Sequence, residues 1–521
     1  MLEQFIKNRI TQQLPFAPNE GQRELLDKLS QFITSPTPRK AFILRGYAGT
    51  GKTSIMAALV QAMQQLNQRF VLLAPTGRAA KVIAKKANTP AHTIHKYIYR
   101  ARTKSAPLSL ENGTKCLQDA TLQFRGKEQF SLRDNLHKNT LFIIDEASMI
   151  SGVRDNPTFG SGMLLDDLVR YVYSAEGCSM LLLGDNAQLP PVGSNLSPAL
   201  DANYMAGYQL VTTEHTLTEV ARQALDSGIL ANATRLRPLA LGQRLEDGAL
   251  RLQDATKSLQ LREDAIWDIL SLGKDVQTVS GAELMEALEQ SYSEVGEEET
   301  ILLTRTNRRT NIYNQGIRAR ILWREEEISS GDRVMVSKNN YFWTEKYDNL
   351  PFLANGDMLE IVRLRNIREL YGYHFADAQL RALDYEWEID AIIWLDTLYS
   401  DNLEANQNMH KDLFYQIAED YPELQHNRKK LIETIYDSPY YNALQIRMAY
   451  AVTGHKSQGG QWARVFIDPY IGGAMTREAK GERAPQNATS IFGDPAEATD
   501  FYRWLYTAIT RATEKVYFIK N

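Results

Sequence analysis

The sequence predicts an α/β protein built on parallel sheets, and three stretches carry that prediction. Ala41-Phe42-Ile43-Leu44 is a short apolar run that feeds the turn Gly46-Tyr47-Ala48-Gly49-Thr50-Gly51-Lys52-Thr53-Ser54. Behind the turn, Ile55, Met56, Leu59, Val60, Met63 and Leu66 recur at helical spacing. Phe70 to Ala74 repeats the pattern, ending at Pro75-Thr76-Gly77-Arg78 before a helix over Ala79 to Lys86. Leu141 to Ile144 is a third apolar run, and it stops at Asp145-Glu146. Strands that alternate with helices and end in polar residues build a sheet whose ligands bind at the carboxyl edge.

Composition narrows the class. The 521 residues allow roughly three or four domains. With 43% hydrophobic and 23% charged residues the chain reads as globular. A formal net charge of −4 supplies no global basic field, so any nucleic-acid site must be a local patch. Two cysteines, Cys116 and Cys178, exclude a disulfide scaffold or a cysteine-rich zinc site and suit a reducing compartment. The opening MLEQFIKNRITQQL lacks the apolar centre of a signal peptide, and no run of about 18 apolar residues exists to span a membrane. The expectation is a cytoplasmic protein of bacterial type.

In chain order, Asn19-Glu20-Gly21-Gln22 opens a helix with Leu25, Leu26, Leu29 and Phe32 on its apolar face, and SPTPRK closes it. Residues 96–138 turn polar and contain the turn signals Asn112-Gly113 and Arg125-Gly126. They hold nine Lys and Arg against four Asp and Glu, so a basic hairpin-like insertion for a polyanion is expected. Met180 to Leu183 is a further strand, running into Gly184-Asp185. Residues 223–300 read mostly as helix, with seven Glu between Gly281 and Thr300 on a solvated face. Ile301-Leu302-Leu303 starts a second set of strands. From Gly331 to about Trp394 the pattern is β-like, and 401–437 leans to helix. A last βα unit carries Ala449 to Asp468 and Phe501 to Ile519, around a loop-like 471–500.

The first turn has the spacing of a P-loop. Its glycines let backbone N–H groups turn toward a phosphate, Lys52 reaches the β- and γ-phosphates, and the Thr53 hydroxyl is a Mg²⁺ ligand. Asp145 at a strand end is placed for the same ion. Glu146 is placed to orient and deprotonate water. Gln188, just past another strand end, is a candidate γ-phosphate sensor. Arg222 and Arg511 are candidates for stabilising the equatorial oxygens from across a cleft. No NKxD-type guanine-reading motif is present.

The ordered runs NEGQ (19–22), GYAGTGKTS (46–54), APTGRAAKVIA (74–84), HTIHKY (92–97), FIIDEAS (142–148), GDNAQLPPVG (184–193), TEVARQ (218–223), ILLTRTN (301–307), GDRVMVSKNN (331–340), YAVTGHKSQGGQW (450–462) and YTAITRATEK (506–515) span almost the whole chain. This set resembles the superfamily 1 helicases, in particular their RecD-like and Dda-like 5′-to-3′ branch. The resemblance implies two RecA-like P-loop domains, a basic hairpin-type insertion in the first and an SH3-like β-barrel insertion in the second. The implied limits are 1–95 and 139–222 for the first core and 96–138 for the pin. They are 223–330 and 441–521 for the second core, and 331–440 for the barrel with its helical addition.

The resemblance assigns roles residue by residue. Gln22 resembles the adenine-reading glutamine. Gly46, Ala48, Gly49, Thr50, Gly51, Lys52, Thr53 and Ser54 form the nucleotide loop, and Gln458 adds to it. Lys52, Glu146, Gln188, Arg222 and Arg511 take the catalytic roles, and Thr53 and Asp145 the metal. Thr76, Arg78, His92, Thr93, Asn307, Thr453, His455 and Ser457 fall in segments that touch or couple to single-stranded DNA. Phe124 and Phe130 either stack at the fork or form the insertion's own small core. Where the family often has a glycine after Asn355-Gly356-Asp357-Met358, this chain has Leu359. ATP and Mg²⁺ are the implied cofactors. Single-stranded and forked DNA is the implied partner of a monomeric, nucleoid-associated motor, with repair, recombination or replication proteins as candidate associates. The rival readings are a helicase acting on RNA, an ATP-gated DNA-binding protein with little unwinding, and one subunit of a helicase–nuclease complex.

Overall fold

The computed structural model describes residues 2–101, 130–154, 159–194, 196–219, 227–242, 270, 272–347, 350, 352–385, 387–400, 403–470 and 495–520. Among the described residues, eight strands belong to the first part of the chain: β1 (Lys40–Gly46), β2 (Arg69–Ala74), β3 (Ala91–Thr93), β4 (Tyr99–Ala101), β5 (Phe130–Leu132), β6 (Thr140–Ile144), β7 (Ser179–Gly184) and β8 (Val211–Leu217). Six of them form one sheet in the order β3-β2-β6-β7-β1-β8, and every pairing is parallel. Apolar residues run unbroken through β6 and β7 because helices cover both faces of a parallel sheet. In β1 the pleat sends Ala41 and Ile43 into one core cluster and Phe42 and Leu44 into the other. The register sets Leu44 beside Leu183 and Leu73 beside Ile144, so Gly46, Asp145 and Asp185 emerge at one edge.

Helix Glu20–Thr34 starts at Asn19 with a reciprocal capping box to Gln22, which explains why the NEGQ run marks a helix start. Helix Gly77–Ala87 starts at Thr76, whose hydroxyl accepts the Ala79 N–H. β4 and β5 pair antiparallel at the foot of the expected basic insertion. Residues 102–129, including Phe124, lie outside the described residues.

A second sheet is built from β9 (Val276–Ser280), β10 (Thr300–Thr304), β16 (Ala451–Thr453), β17 (Trp462–Ile467) and β18 (Ala512–Lys520), in the order β16-β10-β17-β18-β9, again parallel. β9 corrects the helical reading of 223–300. Val276-Gln277-Thr278-Val279-Ser280 is a strand that pairs in parallel along β18, with Val276 and Val279 buried. Helices Gly228–Ala240 and Leu284–Val295 fill the rest of the described part of that segment.

Between β10 and β16 the chain closes a barrel from β11 (Arg333–Val336), β12 (Met358–Leu370), β13 (Tyr373–Ala382), β14 (Glu388–Trp394) and β15 (Leu444–Met448). The closing strand β15 lies past residue 440, the limit expected for this insertion. The Asn355-Gly356 turn forms without a glycine at 359. The Asp357 carboxylate accepts the Ala354 N–H at 2.8 Å, and Leu359 is buried in the barrel interior. Helices Leu403–Glu419 and Arg428–Tyr436 pack on the outer face of the barrel against Phe375 and Trp394.

Candidate functional site

The first sheet presents the phosphate loop where β1 passes into helix Lys52–Gln65. Gly51 has φ +87°, a conformation that side-chain-bearing residues rarely adopt, and a Cβ there would meet the Gln22 amide at 2.9 Å. Lys52 Nζ donates to the carbonyls of Gly46 at 2.6 Å and Tyr47 at 2.9 Å. Burial lowers the Lys52 pKa, against the opposing pull of Asp185, Glu146 and Asp145. Thr50 Oγ1 donates to the Tyr47 carbonyl at 2.8 Å, and Thr53 and Ser54 sit half-buried in the first helical turn. Gln22 is buried against this loop. Its Nε2 donates to the Thr50 carbonyl at 3.0 Å and its Oε1 accepts the Asn19 N–H at 3.1 Å. Both ends of the expected adenine-reading amide are therefore engaged within the protein.

The acidic pair stands beside the loop at the end of β6. Burial and the neighbouring Glu146 carboxylate push the Asp145 carboxyl up to about 6, although its Oδ1 accepts the Glu146 N–H at 2.9 Å. Glu146 holds φ +51°, in the left-handed region that is energetically costly for a residue bearing a Cβ. Arg511 reaches it from the other sheet, with Nη1 3.7 Å from Glu146 Oε1. The guanidinium is fixed from behind: Nε donates to the Thr507 carbonyl at 3.1 Å and Nη1 to the Gly460 carbonyl at 3.3 Å. Gln188 is buried, and its Oε1 has no hydrogen-bond partner. Gln458 Nε2 donates to the Leu189 carbonyl at 2.6 Å, so it holds the loop after β7 rather than the phosphate loop itself. Arg222 lies outside the described residues.

Three groups here were not singled out by the sequence reading. Asp185 accepts the Tyr506 hydroxyl at 2.5 Å and the Ala187 N–H at 3.1 Å, and it also pairs with Arg237. Tyr506 in turn accepts the Ala48 N–H at 3.1 Å. Arg237, from helix Gly228–Ala240, spreads 3.6 Å over the Tyr47 ring and donates to Asn186 at 2.9 Å. Asp185 carried a signal, its place at a strand end inside the quoted GDNAQLPPVG run. Arg237 carried none, because one arginine on a helix looks like any solvated cation until its neighbours are known.

The expected strand-contact residues differ in their surroundings. Thr76 and Arg78 meet the second core, where Gly459 packs on Thr76 and Ala79, and Arg78 Nη2 donates to the Gln461 carbonyl at 3.3 Å. His92, Asn307 and His455 are exposed, and Thr453 is half-buried. Thr93 is buried as the cap of helix Ile94–Ile98, accepting the Lys96 N–H. Ser457 is fully buried and donates to the Gly454 carbonyl at 2.8 Å, so neither hydroxyl faces a strand. Phe130 is also buried. Its ring packs 5.0 Å from Phe159, 4.9 Å from Tyr341 and 5.8 Å from Phe352, which decides for the packing reading over fork stacking.

Fold and site together define a P-loop protein in which Arg511 of the second core approaches Glu146 of the first. A family profile described as an AAA domain matches residues 17–254. The uncharacterized protein R530 of Acanthamoeba polyphaga mimivirus is 24% identical, over 96% of this chain and 99% of its own length. The ATP-dependent DNA helicase dda of Enterobacteria phage T4 is 23% identical, over 86% of this chain and 91% of its own. Among solved structures, the Pif1 helicase from Bacteroides in complex with ADP-AlF3 and ssDNA is 14% identical with a TM-score of 0.42, covering 95% of this chain and 91% of that one. In its ordered motifs, its two sheets with an inserted barrel, and its curated relatives, the chain is similar to the superfamily 1 helicases of the RecD and Dda type. Among the described residues no helix is long and apolar enough to cross a membrane.

Proposed function

We propose that this chain is an ATP-dependent DNA helicase that translocates 5′-to-3′ on single-stranded DNA and unwinds duplex, driven by ATP hydrolysis. The observation that carries the reading is Arg511. A guanidinium from the second sheet stands 3.7 Å from the glutamate placed to activate water on the first. In this reading 1–95 and 139–222 form the nucleotide-binding core, 96–138 the wedge, 223–330 and 449–521 the second core, and 331–448 the barrel with its helices and its closing strand β15.

The chemistry follows from the groups at hand. An arriving triphosphate gives Lys52 a stronger partner than the two carbonyls it holds, and Glu146 accepts a proton from the attacking water. Arg511 exchanges Glu146 for the γ-phosphate and stabilises the charge that spreads over its oxygens. The Thr53 hydroxyl and the Asp145 carboxyl fit a hard cation, since burial and the neighbouring Glu146 carboxylate push Asp145 up despite Lys52 and Lys86. Mg²⁺ held there would neutralise charge on the phosphates. Because Arg511 and Gln458 belong to the second core, gain and loss of the γ-phosphate tightens and loosens the cleft once per turnover. Phosphate contacts by Arg78 would then give sequence-independent grip. The direction of travel rests on the family resemblance.

A tailed-duplex assay tests the proposal. A duplex with a 5′ single-stranded tail is unwound with ATP, and one with only a 3′ tail is not. Unwinding from the 3′ tail overturns the direction. Stimulation of ATP turnover by RNA but not DNA overturns the substrate.

A further inference from the structure

The first core and the barrel meet along a seam that is charged, tight and poorly satisfied. Arg78 lies in the first turn of helix Gly77–Ala87, where free backbone N–H groups and the helix dipole favour an anion. Its guanidinium lies 4.1 Å over the Trp462 ring and 3.9 Å from the Asp384 carboxylate of the barrel. Lys96 stands 4.1 Å over the Tyr385 ring and 3.7 Å from the Asp357 carboxylate. Asp357 immediately precedes β12, and Asp384 follows β13. Gly77 permits this approach, because a Cβ there would stand 2.1 Å from the Tyr385 hydroxyl.

Both charge pairs are too long for hydrogen bonds. Lys96 Nζ, Asp384 Oδ1 and the Tyr385 hydroxyl are buried without a hydrogen-bond partner. Groups left in this condition cost free energy, so the seam is poised for better partners. Burial raises the pKa of both carboxyls and lowers that of Lys96, as expected of charges held short of full pairing. Beside the seam lies a cavity of about 500 Å³, with Arg78, Lys81, Lys85 and Lys86 along the first core and Asp384, Trp462, Arg333 and the acidic run Glu297 to Glu299 opposite. A row of cations of this kind suits a phosphate chain.

We propose that Asp357 and Asp384 occupy, in the free protein, the places that two phosphates of a bound strand take on Lys96 and Arg78. The inference rests on the strand-binding reading above and adds Lys96 to the strand contacts. A carboxylate offers the same anionic acceptor oxygens as a phosphate, and a guanidinium accepts either. Strand entry and release of the barrel from Gly77 are then one exchange. The apparent affinity for a strand is reduced by the fraction of molecules in which the seam is shut.

The sign of one substitution separates this from a structural role. A competitor that is neutralised tightens strand binding, whereas a structural ion pair that is broken weakens it. Fluorescence anisotropy of a labelled dT oligonucleotide at fixed salt compares wild type with Asp357→Asn plus Asp384→Asn. The amide oxygen keeps the acceptor for the Ala354 N–H. The double variant is expected to bind at least about tenfold tighter, the scale of one desolvated charge pair, and Lys96→Gln to bind more weakly than wild type. Unchanged or weaker binding by the aspartate variant overturns the inference alone. A wild-type chain that binds no strand overturns the functional reading as well. If the double variant does not fold, Asp384→Asn is read by the same sign.

Discussion

The six-stranded sheet ends β6 in Asp145, and the five-stranded sheet ends β17 in Asp468, so each core presents a carboxylate just past a buried parallel strand. Asp468 is spoken for. Arg309 pairs with it, and the Tyr313 hydroxyl donates to it at 3.0 Å. Asp145 accepts a backbone N–H beside an adjacent carboxylate, and Lys52 and Lys86 act on it only through space, the Lys52 ammonium donating to loop carbonyls instead. Position in the sheet is therefore shared, and the difference between the two acids is whether an arginine already pairs with the carboxylate, as the half-buried Arg309 does with Asp468. The first sheet keeps an unmet demand for positive charge. The second satisfies its own and exports a guanidinium, Arg511, across the cleft.

This division of labour can be broken from either side. Glu146→Gln on the first sheet should lower DNA-stimulated ATP turnover by about 10²–10⁴, the range for loss of a general base, with the fold unchanged by circular dichroism. Wild-type turnover would place the base elsewhere. Phe130→Ala should cost about 3–5 kcal/mol in urea unfolding, as for large buried aromatics, since its ring joins Phe159 of the first core to Tyr341 and Phe352. A cost near zero would return Phe130 to the surface.

Asp145→Asn should stabilise the nucleotide-free protein. The folded carboxyl sits at about 6, above its ordinary 3.8. Ionisation therefore penalises the folded state from about pH 4 upward, fully above about pH 6. The variant should gain up to about 3 kcal/mol at pH 7.5 and nothing below about pH 4. Thermal melts across that range check it, and a variant destabilised at pH 7.5 would show that Asp145 already has a cationic partner. The smallest effect belongs to Gln458→Ala, which removes the donor to the Leu189 carbonyl. It should cost about 1–3 kcal/mol of stability, again by urea unfolding.

Much of this was legible because it is local. A P-loop is one turn between one strand and one helix, and the acid pair ends a single apolar run, so GYAGTGKTS and FIIDEAS announce themselves. The Asn19 cap was legible for the same reason. Contacts made only by folding were not. Nothing around Arg237 or Tyr506 states that they meet Tyr47, Ala48 and Asp185. Thr93 and Ser457 look like strand contacts by position, yet their hydroxyls are used in a cap and a turn. β9 hid in a polar, helix-rich stretch because its two apolar residues, Val276 and Val279, are three apart, a spacing that fits a helix as well as a short edge strand. β15 hid behind two helices because closing a barrel needs a strand from far along the chain.

The claim that two sheets share one catalytic site is tested most directly by single-turnover ATP hydrolysis in Arg511→Ala, with nucleotide affinity measured in parallel. The shared site predicts a loss of about 10³–10⁵ in the hydrolysis step, as for removal of an arginine that stabilises phosphoryl transfer, with ATP still bound by the P-loop. Hydrolysis at the wild-type rate would mean that the first sheet works alone, and would contradict the account.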